Sequence, residues 1–394
     1  MRIDSVRYLA GRELEDPRPL TPYNDIVCRF LEEFSRRLRK DREAAAYPDL
    51  MTLAFFCRKA NIQKLKEDFL DTKTRLGRGM IFHIAPSNVP VNFMFSYIFG
   101  LLSGNANVVR VSSKSFTQVD IICRVLNQMF MEAEFQDILH RTAIVEYERN
   151  REINDYYSAR CDGRVIWGGD QTIAELRQSP IRPRCVEIVF ADRFSFGVID
   201  SRSIVDASEE EINHLAEQFY NDTYLMDQNA CSTPHLIFWK QSGKMKEAKK
   251  RFWDHVFQIA QKYDLADIKV SDKYVMLSEY AMERQDICGV QSYGNLLYVV
   301  DLACVPKDIT SLRGKFGLFF ECKIDRLQDA MEHMNETVQT CAYYGIEQEE
   351  IVKAVLENSP KGIDRIVPFG STLDIGVIWD GYDIVGQLSR IIGG

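Results

Sequence analysis

Apolar residues recur first at helical spacing and then in short buried runs separated by helical segments. Ile26, Phe30, Phe34 and Leu38 fall four apart behind a Thr21-Pro22 start, which predicts an amphipathic helix over 22–45 that Pro48 breaks. A second helical segment covers 50–70. From there the rhythm changes. Met80–Ile84 reads as a short buried strand, followed by the turn Pro86-Ser87-Asn88-Val89-Pro90 and a helix over 92–102. Val108–Val111 is the next strand, then a helix over 116–133, then strands Thr142–Glu146 and Val165–Trp167. A second set begins near 208. It comprises a helix over 208–222, strand His235–Trp239, a helix over 244–264, strands Leu296–Val300 and Leu318–Lys323, and a helix over 325–335.

Short buried strands alternating with helices predict parallel sheets covered by helices on both faces. The fold class is therefore α/β, with two units meeting near Asp200-Ser201-Arg202. Three segments are expected: residues 1–200, residues 201–365, and a C-terminal stretch, 366–394. There is no internal repeat and no low-complexity segment.

Composition narrows the class of function. At 394 residues the chain is long enough for two or three cores, and 46% hydrophobic with 27% charged is ordinary for a globular protein. A net charge of -8 argues against a nucleic-acid binder that relies on a broad basic surface. The longest apolar stretch, Val89–Leu102, falls short of the roughly 18 residues a membrane span needs. The N-terminus lacks a basic stretch leading into an apolar core, so no secretory signal is expected. The ten cysteines include no C-x-x-C pair and no zinc-site spacing, so no metal site is expected. They are expected to stay reduced, in the cytoplasm.

A few stretches carry chemistry. In Asp227-Gln228-Asn229-Ala230-Cys231-Ser232-Thr233-Pro234-His235 one cysteine stands among small and polar residues. Ala230 and Ser232 leave room for a substrate carbonyl, as a thiol nucleophile requires, although an ordinary loop cysteine fits the segment too. Asn88 stands in a turn stiffened by Pro86 and Pro90. Its carboxamide could donate to an oxyanion or simply cap the backbone. Gly168-Gly169 follows a strand and precedes a helix, where a dinucleotide can approach the backbone; a tight turn explains the pair equally. The G-x-G-x-x-G fingerprint is absent. Arg110-Val111-Ser112-Ser113-Lys114 places two cations and two hydroxyls within five residues, suited to a phosphate or to a solvated strand end. His83 and His235 fit structural roles better than catalytic ones.

Five stretches in order, HIAPSNVP with GLLSGNANVVRVSSKS, VIWGGDQTI, DQNACSTPH, and RIVPFGSTLDIGVIWDG, make the chain resemble the long-chain acyl-CoA reductase (LuxC-type) family. That family is a branch of the aldehyde dehydrogenase superfamily. The resemblance covers residues 75–390. It implies an aldehyde-dehydrogenase-like fold of two doubly wound parallel-sheet domains: cofactor-binding first, then catalytic, with the C-terminal segment returning to the site. It implies that Cys231 is the acylated nucleophile and that Asn88, with the Cys231 N–H, holds the oxyanion. It places the cofactor at Gly168, Gly169, Arg110, Ser113 and Lys114. Where NAD-preferring relatives carry a glutamate for the ribose hydroxyls, this chain has Ser113 and Lys114, which favours NADPH, with NADH as the alternative.

The implied reaction is reduction of a fatty acyl thioester, on CoA or a carrier protein, to the aldehyde. Aldehyde oxidation, or a non-catalytic nucleotide-binding partner subunit, stands as the alternative. The Glu-Leu-Gly-Gly stretch of hydrolytic relatives is missing; Phe190–Ser195 stands there instead, leaving Glu187 or Asp192 as the remaining candidate bases. An acyl-protein synthetase partner and a homo-oligomer are further expectations.

Overall fold

The computed structural model describes residues 5–69, 71–86 and 89–393, so Asn88 lies outside the described residues. The chain divides into two compact units, Met1–Ala191 with Gly376–Gly394, and Asp192–Ile375.

The first unit is built on a sheet of β1 (Arg7–Gly11), β3 (Met80–Ile84), β4 (Ala106–Val111), β5 (Thr142–Glu146), β6 (Gly163–Trp167) and β7 (Val186–Phe190). The order is β1-β5-β4-β3-β6-β7. A short strand, β2 (Arg75–Gly77), instead pairs antiparallel with Ser389–Ile391 near the C-terminus. Strands β3 to β7 are parallel, and β1 closes one edge antiparallel to β5. From the central β3 the chain moves outward to β4 and β5, then returns to build β6 and β7 on the other side. The reversal lies between β3 and β6. Crevices beyond the carboxyl ends of strands at such a reversal are where open α/β sheets bind ligands.

Every residue of β3 is buried, as are ten of the eleven residues of helix Asn92–Leu102, which explains why the latter carries no polar face. The exception to this apolar filling is a buried polar chain. Asn107 donates its amide N–H to Asn105 O (3.2 Å), so its Oδ1 turns toward His83 Nε2 at 2.9 Å, which must carry the proton. His83 Nδ1 then accepts from Ser96 Oγ at 2.7 Å, and Ser96 Oγ accepts from Trp167 Nε1–H at 3.2 Å. Every polar atom on this path has a partner, which is what allows a polar row inside a sheet core.

The second unit holds a seven-stranded sheet: β8 (Phe194–Asp200), β9 (Pro234–Lys240), β10 (Ile287–Tyr293), β11 (Leu297–Leu302), β12 (Leu318–Ile324), β13 (Val338–Tyr344) and β14 (Arg365–Pro368). Its order is β10-β11-β12-β9-β8-β13-β14, parallel except for the edge pair β10–β11. One apolar cluster, around Phe196, Phe238 and Phe320, covers one side. Another, around Phe219, Trp239, Trp253 and Phe319, covers the other.

Several expected boundaries shift. The division falls before β8 rather than at 200, because β8 pairs with β9 and β13. The Asp200 carboxylate caps helix Ser201–Asp206, accepting from the N–H groups of Arg202 and Ser203. The C-terminal stretch parts, with residues to 375 in the second unit and the rest in the first. The helix expected over 50–70 is two helices, Pro48–Phe56 and Lys59–Asp68. The break lets Leu50 and Leu53, and then Ile62 and Leu65, each reach the buried side. The helix expected over 22–45 is Asp25–Lys40, started by the Asn24 side chain accepting from Ile26 N–H.

Burial pulls the His83 imidazole down to about 4, from an ordinary value of 6.5. A depressed folded value means the stabilisation is complete above the unfolded value and is lost as pH falls through the folded one. Between pH 6.5 and 4 the loss per such group is about 1.4 kcal/mol per pH unit. Denaturant titrations from pH 7.5 to 5 are expected to show His83→Gln less stable than the parent at pH 7.5, with a shallower decline toward pH 5. Parallel declines would contradict a neutral, trapped His83.

Candidate active site

The loop carrying Cys231 begins where helix Glu209–Thr223 runs into a short 3-10 turn, Tyr224–Met226. The next two residues, Asp227 and Gln228, both take left-handed backbone, at φ 53° and 60°. Two successive non-glycine residues there are costly and persist only where surroundings hold them. Asp227 Oδ1 accepts from the Tyr263 hydroxyl and from Lys269 Nζ at 2.9 Å. Gln228 is buried. Its amide donates to Leu318 O at 3.0 Å and accepts from Gly317 N–H at 2.6 Å, tying the loop to the start of β12.

The far side of the loop is held as firmly. Thr233 Oγ1 donates to Asp222 O at 2.9 Å, and Thr233 N–H donates to Ala230 O at 3.0 Å. Ser195, fully buried at the start of β8, donates its hydroxyl to Cys231 O at 2.7 Å and accepts from Thr340 N–H of β13 at 3.2 Å. The backbone of Cys231 is thus anchored while its side of the loop remains exposed. This combination suits a nucleophile, although exposure alone does not single Cys231 out: Cys57, Cys123, Cys161, Cys322 and Cys341 are buried, but Cys288 and Cys304 are exposed as well.

Asp222 links the loop to the chain beyond β14. Its carboxylate accepts from Gly370 N–H (2.7 Å) and Thr372 N–H (3.2 Å), and burial raises it to about 6 despite those bonds. The Arg365 guanidinium donates to Ser371 O and Thr372 O, both at 2.7 Å.

His235 is no base for Cys231. It is buried, stacks on Phe194, and its Nδ1 accepts from Gly314 N–H at 3.2 Å; burial, then the nearby Arg313, hold it down at about 3. The two candidate water-activating carboxylates are also committed. Glu187 accepts from Arg164 Nε at 2.8 Å and from Arg177 Nε at 2.7 Å. Burial raises its carboxyl, but the two guanidinium groups outweigh that and hold it below its ordinary value. Asp192 pairs with Arg313 at 2.9 Å. A carboxylate held below its ordinary value, as Glu187 is, is a poor proton acceptor.

The expected cofactor residues gather in the first unit, at the carboxyl ends of its parallel strands. Arg110, on β4, lies over the Tyr147 ring (4.8 Å) and donates from Nη2 to Tyr147 O at 3.3 Å. Its Nε is buried without a hydrogen-bond partner, the kind of vacancy a ligand oxygen fills. Ser113 and Lys114 follow, both exposed. Gly168 and Gly169 follow β6. A Cβ on Gly169 would meet nothing within 4 Å, and one on Gly168 would approach only the Thr172 side chain, at 3.2 Å. The turn offers approachable backbone, and Asp170 stands in the first turn of the helix that follows it, while Arg110 and Lys114 bring positive charge at the end of β4. These residues fit an anionic nucleotide. An aromatic wall flanks the turn: Trp167 and Phe190, ending β6 and β7, stack at 3.7 Å, and Trp379 packs edge-on to Trp167 at 5.0 Å.

A family model for acyl-CoA reductase (LuxC) matches residues 58–391. The chain belongs to that family. No curated protein sequence matches it. Its fold is that of the aldehyde dehydrogenases. It is similar to a NAD-dependent benzaldehyde dehydrogenase from Corynebacterium glutamicum, with TM-score 0.61 and 13% identity over 99% of this chain and 96% of the other. It is similar to aldehyde dehydrogenase 21 from Physcomitrella patens, with TM-score 0.63 and 10% identity over 93% and 85%. It also matches proline utilization A, with TM-score 0.63 and 13% identity over 94% of this chain, and there spans only 42% of the other protein's length. Among the described residues, no helix is long and apolar enough to cross a membrane and no cluster of His, Cys, Asp and Glu is arranged to hold a metal ion.

Ser195, Gln228 and Asp222 did not stand out in the sequence. Gln228 lies within the DQNACSTPH motif, where a polar residue beside the cysteine was the available signal. Ser195→Ala is expected to leave the Cys231 carbonyl and the Thr340 N–H without their shared partner, costing about 1–3 kcal/mol. Hydrogen exchange followed by mass spectrometry should show faster exchange in 227–233 with the first unit unchanged. Unaltered exchange in that loop would remove Ser195 from its anchoring role.

Proposed function

We propose that this acyl-CoA reductase family member reduces a fatty acyl thioester to the aldehyde through an acyl-enzyme on Cys231, with NADPH preferred. The observation that carries the reading is the loop itself: an exposed cysteine on backbone fixed at Gln228, Ser195 and Thr233. A nucleophile held in place avoids the ordering cost of each attack.

Cys231 as thiolate attacks the thioester carbonyl carbon, and the carbonyl oxygen takes the negative charge. The Cys231 N–H and the Asn88 carboxamide are the proposed donors to that oxyanion; one such donor typically contributes about 3–4 kcal/mol to lowering the barrier. Collapse expels the carrier thiol and leaves the acyl group on Cys231. A reduced nicotinamide, when bound, supplies the hydride that takes the Cys231 thioester to the aldehyde level. Gly168 and Gly169 would give the nucleotide close backbone approach, and Arg110 or Lys114 would meet its 2′-phosphate. With Glu187 held by two guanidinium groups it does not activate water, and the acyl-enzyme outlasts hydrolysis long enough to be reduced. The absence of an acidic residue between Arg110 and Lys114 supports a 2′-phosphate there.

The test is aldehyde formation from acyl-CoAs of graded length with NADPH or NADH. The parent enzyme is expected to use NADPH at lower KM. Cys231→Ala should lose reduction while still binding cofactor. Lys114→Glu should raise the KM for NADPH and spare NADH. Equal use of both cofactors by the parent would remove the phosphate assignment, and full activity of Cys231→Ala would remove the acyl-enzyme.

A further inference from the structure

Cys161 and Cys185 lie 24 residues apart in sequence, yet their sulfurs approach to 3.7 Å. Cys161 is fully buried in the turn after helix Arg151–Ser158, just before β6. Cys185 is half-buried, just before β7. The first residues of those strands, Gly163 and Val186, are registered partners in the parallel ladder, so the two thiols sit side by side at the amino ends of adjacent strands. That is the end opposite the Gly168-Gly169 turn.

The surroundings are rigid. Arg164, buried on β6, donates to Ser158 Oγ (3.1 Å), Leu176 O (3.1 Å) and Ser179 O (2.9 Å), fixing the segment that leads to Cys185. Arg182 donates to Ala159 O at 3.1 Å and pairs with Asp162 at 3.2 Å, closing the same segment onto the turn that holds Cys161. The two sulfurs are therefore held near each other by groups that do not depend on them.

We propose that Cys161 and Cys185 form a redox-active dithiol that a hydroperoxide closes to a disulfide. Cys185, the more exposed residue of the two, reacts first. Its thiolate forms an S–O bond with the peroxide as the O–O bond breaks; the departing alkoxide takes up a proton and leaves as the alcohol. Cys161 then attacks the sulfenic sulfur, the S–S bond forms, the S–O bond breaks, and hydroxide leaves as water with the Cys161 proton. Two thiols lose two electrons, and the hydroperoxide is reduced to alcohol and water. The remaining movement is the difference between 3.7 Å and a bond of about 2.05 Å, within reach of side-chain rotation. The thiol–thiol hydrogen bond, helped by the nearby Arg164, holds the Cys185 thiol below its ordinary value, while the same bond and burial raise that of Cys161. That division suits an attacking and a resolving cysteine. The closed loop would contain β6, the Gly168-Gly169 turn and helix Asp170–Leu176, so oxidation staples the segment that bears the proposed cofactor turn. The inference stands whether or not that turn binds a cofactor.

The experiment treats the full chain with one to a few equivalents of tert-butyl hydroperoxide, blocks remaining thiols with N-ethylmaleimide, and maps peptides without reduction. A linked peptide joining Cys161 to Cys185, two hydrogens lighter than the separate thiols and reopened by dithiothreitol, is the expected result. In Cys161→Ser, dimedone should trap a sulfenic acid on Cys185. Peroxide should raise the Tm of the parent and leave that of Cys185→Ser unmoved. The proposal fails if Cys185 stays alkylatable after the exposed Cys288 and Cys304 have been oxidised. It fails equally if Cys185 proceeds to sulfinic acid with Cys161 still a thiol.

Discussion

The functional reading depends on one constraint, the pair of left-handed residues Asp227 and Gln228 ahead of Cys231. Neither residue type adopts that backbone without cost. The cost is offset because Asp227 is gripped by Tyr263 and Lys269, and because the buried Gln228 amide closes a two-point bond to Leu318 and Gly317. Helix, loop and β12 are thereby locked into one piece. Ser195 adds a lock from the other side, joining β8, β13 and the Cys231 carbonyl through one hydroxyl. An exposed thiol on a loose loop would be an ordinary reactive cysteine; here the backbone beneath it is determined by elements of the sheet.

The two units solve different problems with similar sheets. In the second, polar groups are spent on shaping one loop. In the first, they form an internal row from Asn107 through His83 and Ser96 to Trp167, the residue before the glycine turn. That row fixes the end of β6 relative to β3 across the topological reversal, while Gly169 keeps the space beyond it open and Arg110 presents a buried, unsatisfied Nε. An open space and one unsatisfied donor are what the proposed nucleotide site requires.

Much of the fold could be read in the chain because burial leaves strong signals. Met80–Ile84 and Asn92–Leu102 are apolar almost throughout since both are covered on every side. The strand at Arg7–Gly11 left little trace, being a half-exposed antiparallel edge. Helix Asp267–Glu283 left still less, because Lys273 is its only fully buried residue. Cys231 and the glycine pair stood out by their local setting, one thiol among small and polar residues and two glycines between a strand and a helix, which is where their proposed roles come from. Ser195 could not stand out. Its partners are 36 and 145 residues away, and a serine in a strand says nothing about which carbonyl it will meet. The division between the units lies at 191/192 rather than near 200 because β8 belongs to the second sheet, and the pairing of β8 with β9 and β13 is not visible in the local sequence.

The central claim is that the anchored Cys231 thiol carries the acyl group. Intact-mass and peptide mass spectrometry on protein incubated with a long-chain acyl-CoA, with reduced nicotinamide withheld, tests it most directly. The account predicts one acyl group per chain, on the peptide containing Cys231, persisting until cofactor is added and then leaving as aldehyde. An acyl group on a different cysteine, or its rapid release as free fatty acid without cofactor, would contradict it.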